Sequence, residues 1–101
     1  MFKYATYSVA SPEACASIIW RDSEKASEAA EAMQVNAENI LKLKLIDEVI
    51  DEPLGGAHRN PDQAALLLKK SIIKNLDHLK SQSISTLVET RYKRLMSYGH
   101  K

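Results

Sequence analysis

At 101 residues the chain is one domain at most, or part of one. Hydrophobic residues make up 45% and charged residues 27%, the balance of a water-soluble globular protein, and the net charge of +1 argues against bulk nucleic acid as a partner. The longest apolar runs are only a few residues, which excludes a membrane-spanning helix, and residues 2–9 are too few and too polar for a signal-peptide core.

Residues 2–10 set Tyr4, Thr6 and Ser8 against Ala5, Tyr7 and Val9, an alternation that predicts a strand. Ser11-Pro12-Glu13 then reads as a helix start. It offers a hydroxyl at the cap, proline at the first helical position, and an acid facing the positive end of the helix dipole. This helix is expected to run to about residues 20–22, burying Ala14, Ile18 and Ile19. A second, surface-lying helix is expected within residues 23–33. A third is capped by Asn36 and runs through Leu43, with Ala37, Ile40, Leu41 and Lys44 on adjacent turns. Residues 45–50 read as a short strand, with a helical tail as the alternative at this length.

Pro53-Leu54-Gly55-Gly56-Ala57-His58-Arg59-Asn60-Pro61 follows, and holds two of the three glycines. A glycine pair permits positive φ and close backbone approach, and Asn60-Pro61 is a helix cap followed by proline at the first position. A helix N-terminus carrying His58 and Arg59 makes an anion-facing corner, unless the two side chains instead brace a subunit interface. Ala64, Leu67, Leu68, Ile72, Leu76 and Leu79 recur at helical spacing over residues 61–80. Residues 81–85 break that helix, and Leu87, Arg91 and Leu95 mark a last one ending at Gly99. Two strands too far apart for a hairpin, amid helices, suit the tail of a larger α/β domain, because a lone strand is not stable by itself.

Few residues carry obvious chemistry. Cys15 and His58 lack the orienting third group of a nucleophilic site, and Cys15 beside Ala16 and Ile19 reads as a small buried residue. As the only cysteine it makes no internal disulfide, and the default compartment is a reducing cytoplasm. His58, His78 and His100 have no metal-ligand spacing. Asp47, Glu48, Asp51 and Glu52 read as a solvated face and exit turn rather than an acid/base pair. Arg91-Tyr92-Lys93-Arg94 is basic with one aromatic, too short to outweigh the near-neutral total. Phosphate-binding loops, dinucleotide fingerprints and serine elbows are absent from the sequence.

Two stretches carry a family resemblance. The first is Tyr7-Ser8-Val9, Ser11-Pro12-Glu13, Cys15-Ala16-Ser17-Ile18 and Trp20, followed by Lys25-Ala26 and Glu28-Ala29-Ala30-Glu31-Ala32. The second runs from Leu45-Ile46-Asp47 through Glu52-Pro53-Leu54-Gly55-Gly56-Ala57-His58-Arg59-Asn60-Pro61 to Arg91-Tyr92 and Arg94-Leu95-Met96-Ser97-Tyr98-Gly99. Together they resemble the alpha-subunit family of bacterial acetyl-CoA carboxylase carboxyltransferases, over its C-terminal third only. Ser27 stands where the family often has proline, and Ala14 where it often has glycine.

The resemblance implies the C-terminal part of a crotonase-like (ClpP/crotonase) α/β domain, mostly helical here and without an internal boundary over residues 1–101. It implies a biotin-dependent transferase of fatty acid and lipid metabolism, working in an ATP-binding, nucleotide-binding enzyme system. The implied partners are a carboxyltransferase beta subunit in an alpha2-beta2 heterotetramer, the biotin carboxyl carrier protein and biotin carboxylase, with neither membrane nor nucleic acid. In the implied reaction a carboxyl group passes from carboxybiotin on the carrier to acetyl-CoA, giving malonyl-CoA. Carboxybiotin releases carbon dioxide, the biotin enolate takes a proton from the acetyl methyl group, and the thioester enolate attacks the carbon dioxide. Such chemistry asks the protein to stabilise two oxyanions, which backbone N–H groups do without a titrating side chain.

The family's oxyanion glycines lie upstream of Tyr7-Ser8-Val9, so no catalytic residue and no directly bound cofactor or metal is assigned here, and the segment alone is expected to be inactive. Ser11, Pro12 and Glu13 are expected near the biotin side of the cleft, and Gly55, Gly56, His58 and Arg59 near a subunit boundary. Another crotonase-type enzyme acting on acyl-CoA, such as a hydratase, is a second reading. A small helical interaction module without catalysis is a third.

Overall fold

The computed structural model of the chain describes residues 1–99 and divides into two compact units, Met1–Glu52 and Pro53–Lys101. His100, weighed above as a metal ligand, lies outside the described residues.

In the first unit, helix α1 spans Pro12–Trp20, a 3-10 turn Ser23–Lys25 leads into α2 at Ala26–Met33, and α3 spans Ala37–Lys42. The caps of α1 and α3 are those the sequence predicts. Ser11 Oγ accepts the Ala14 N–H at 3.2 Å, and Asn36 Oδ1 accepts the Asn39 N–H at 2.9 Å. Asp22 caps the 3-10 turn through the Glu24 N–H at 3.0 Å. Ser27 lies in the first turn of α2, where a proline's missing N–H costs no intrahelical bond.

Each of these three helices stops at a non-glycine residue with positive φ, at Arg21, Gln34 and Lys44. At α3 the stop is a Schellman motif: Lys44 N–H donates to Leu41 O at 2.9 Å and Leu45 N–H to Ile40 O at 3.2 Å. Lys44 therefore leaves the helix rather than extending its face.

The α1 burial expectation is corrected. Ala14, Ile18 and Ile19 are exposed, Ile18 at 76%, and the buried pair is Cys15 and Ala16. These two pack against Ala29 of α2, with Ala10 and Met33 beside them. Ala16 and Ala29 are fully covered, so α1 and α2 cross closely over small side chains. In α3, Ala37 and Ile40 are buried and Leu41 is on the exposed side. Burial of such small groups contributes only about 1 kcal/mol per methyl-sized side chain.

Both expected strands are also corrected. Among the described residues the only sheet-like pairing is two isolated bridges, Phe2 with Ile50 in parallel and Thr6 with Asn36 antiparallel. The physical reason is local. A turn closed by Ala5 N–H to Phe2 O at 3.2 Å folds the chain back after two residues and interrupts the extended run. The remaining ladder bonds are Lys3 N–H to Ile50 O at 2.9 Å, Ile50 N–H to Met1 O at 2.8 Å and Tyr7 N–H to Val35 O at 3.1 Å. The alternation at residues 2–9 is real, but no continuous neighbouring strand pairs with it here. The mostly helical expectation holds; the α/β sheet is not formed by these residues.

In the second unit a 3-10 turn at Ala57–Arg59 precedes α4, Pro61–Lys80, and α5 spans Ile84–Ser97. Ser83 Oγ caps α5 through the Thr86 N–H at 3.2 Å, so α5 begins inside the expected break. It stops before Gly99, with Tyr98 extended and Gly99 at φ +80°. Ala64 is buried in α4, while Ile72, Leu76 and Leu79 of the predicted stripe are exposed. Helix formation at α4 followed the sequence period; burial did not.

Candidate functional site

The predicted site residues fall into two groups, one in each unit. Ser11, Pro12 and Glu13 form the N-terminus of α1, and its first-turn donors are already engaged. Ala14 N–H is bonded to Ser11 Oγ, and Cys15 N–H to Ser11 O at 2.9 Å. Glu13's own backbone N–H and the Ser11 hydroxyl hold its carboxyl below the usual glutamate range, with burial adding a small opposing effect. Glu13 O accepts the Ser17 hydroxyl at 2.9 Å. The result is a closed, negatively charged helix start.

Gly55, Gly56, His58 and Arg59 form the approach to α4. Gly56 N–H donates to Pro53 O at 2.8 Å, closing a four-residue turn with Gly55 at its third position and φ +87°. That φ marks a type II turn, which needs glycine or asparagine there. Gly56 has φ +101° and ψ 165°, a conformation essentially restricted to glycine, and its O accepts the Arg59 N–H at 3.1 Å. A Cβ on Gly55 would lie 3.1 Å from Arg59 Cγ, so the arginine stem runs close over the glycine. Pro53 and Gly56 are buried, while Leu54, His58 and Arg59 face outward. Asn60 Oδ1 accepts the Gln63 N–H at 3.1 Å, and Asn60 Nδ2 donates back to Gln63 Oε1 at 3.3 Å. The glycine pair thus sets the path of the chain into α4 and displays His58 and Arg59 together on its surface.

The other candidates have local roles. Cys15 is buried and unpaired by disulfide. Glu52 Oε1 accepts the Tyr4 N–H at 2.9 Å, and Glu48 O accepts the N-terminal ammonium at 2.7 Å, so this acidic run ties down the start of the chain. Lys93 pairs with Glu89 at 2.7 Å and Arg94 Nε donates to Tyr98 Oη at 2.7 Å, both along α5. Sequence reading missed a shallow concavity of about 500 Å³ on α4, lined by Leu66, Lys69, Lys70, Ile73 and Lys74. Its signal was present as an i, i+3, i+4, i+7, i+8 series, offset from the leucine stripe that stood for the helix.

Comparison with known proteins decides the family. Residues 1–99 match the model of the acetyl co-enzyme A carboxylase carboxyltransferase-like family. The chain belongs to this family. Its relatives include the acetyl-coenzyme A carboxylase carboxyl transferase alpha subunits of Vibrio atlanticus (strain LGP32), 56% identical over 100 residues, and Hydrogenovibrio crunogenus (strain DSM 25203 / XCL-2), 51% identical over 100 residues. That of Histophilus somni (strain 129Pt) is 55% identical over 100 residues. Each comparison covers 99% of this chain but only 31–32% of the relative. The chain thus spans about a third of the length of the curated relatives it matches. Both resemblance-bearing stretches, including the glycine turn before α4, lie inside the matched residues.

Proposed function

We propose that the chain is the C-terminal segment of a carboxyltransferase alpha subunit, one part of a crotonase-like domain that the whole subunit completes. The whole enzyme transfers a carboxyl group from carboxybiotin on the biotin carboxyl carrier protein to acetyl-CoA, giving malonyl-CoA, in the cytoplasm. Its partners are the carboxyltransferase beta subunit, in an alpha2-beta2 assembly, with the carrier protein and biotin carboxylase. The observation that carries this reading is the match over residues 1–99, supported by 51–56% identity to named alpha subunits.

The local geometry suits a supporting role. The Ser11-Pro12-Glu13 helix start spends its donors within its own first turn, on the Ser11 hydroxyl and carbonyl and the Glu13 carboxyl, and carries an acid. It therefore orders α1 on the biotin side of the cleft rather than stabilising an oxyanion. The Gly55-Gly56 turn presents His58 and Arg59 at a subunit boundary. Biotin and acetyl-CoA are held by the remainder of the enzyme, and the catalytic amides lie there too.

The test is to place an epitope after Lys101 at the native locus, recover the polypeptide from cells, and measure its intact mass and carboxyltransferase activity. The expected result is a polypeptide roughly three times this length that carboxylates acetyl-CoA when supplied with carboxybiotin. A native polypeptide of 101 residues, or a long one without carboxyl transfer, overturns the proposal.

A further inference from the structure

We draw no further inference here: the strongest candidate, the shallow face of α4 lined by Leu66, Lys69, Lys70, Ile73 and Lys74, lies on a single helix and nothing in the structure shows what covers it.

Discussion

Replacing Gly56 by alanine tests the account of the turn before α4. Gly56 combines φ +101° with ψ 165°, where a Cβ meets the flanking backbone whatever the free space around it. Holding a non-glycine residue there costs on the order of 1–3 kcal/mol. Taking about 2 kcal/mol, the equilibrium for opening the turn rises roughly 30-fold, at about 1.4 kcal/mol per tenfold. Arg59 reports that opening, because its N–H is bonded to Gly56 O at 3.1 Å. Amide hydrogen exchange followed by NMR should therefore show Arg59 exchanging about 30-fold faster in Gly56→Ala. Gly55→Ala should act in the same direction through its φ of +87°, with a smaller added effect because the Arg59 stem can shift. Gly55→Asn should be milder, since asparagine tolerates this turn position. Leu54→Ala is the control: at 97% exposure its change should stay within about 0.5 kcal/mol. Unaltered Arg59 exchange in Gly56→Ala, or free-chain exchange in the unsubstituted protein, refutes the reasoning.

Ser11→Ala should cost about 1 kcal/mol through loss of the α1 cap, read by urea unfolding, and Ser11→Asp should recover most of it. The same Ser11→Ala change should move the Glu13 pKa upward, toward its ordinary value, in a carbon-detected NMR titration; an unchanged pKa contradicts the assigned hydrogen bonds. Because that pKa is depressed in the folded state, Glu13's contribution is present above its unfolded pKa and lost as pH falls through the folded one. Ala29→Leu should cost about 1–3 kcal/mol by overpacking the fully covered contact with α1, whereas Ile18→Ala should be nearly neutral. Equal effects of the two on the denaturation midpoint would place the α1–α2 contact elsewhere. Lys44→Gly should raise stability by up to about 1 kcal/mol, because glycine takes the left-handed conformation that ends α3 without a Cβ clash; a lowered midpoint would count against the Schellman assignment.

Helix starts were legible because they depend on neighbours in the chain. Ser11-Pro12, Asn36 and Asn60-Pro61 each place a cap oxygen within reach of an N–H three residues on, and all three form that bond. The glycine turn was legible for the same reason: positive φ at Gly55 and Gly56 is a backbone property of those residues. The helix ends were less visible, since Arg21, Gln34 and Lys44 adopt a conformation that their side chains disfavour locally. The site was readable to the extent that it is local. His58 and Arg59 follow from the turn, but the series along Leu66, Lys69, Lys70, Ile73 and Lys74 was hidden behind the stronger leucine period.

By itself, then, the sequence determined the helices, the caps at Ser11, Asn36 and Asn60, the glycine turn and the family, all of which are written in short-range patterns and strings. Only tertiary structure decided which faces are buried. Cys15 and Ala16 meet Ala29 because small side chains let two helices approach, while the more hydrophobic Ile18 and Ile19 remain outside. It also decided the fate of the alternating residues at the start of the chain. Strand formation needs a hydrogen-bonding neighbour along its length, and here the pairing stops at single bridges to Ile50 and Asn36.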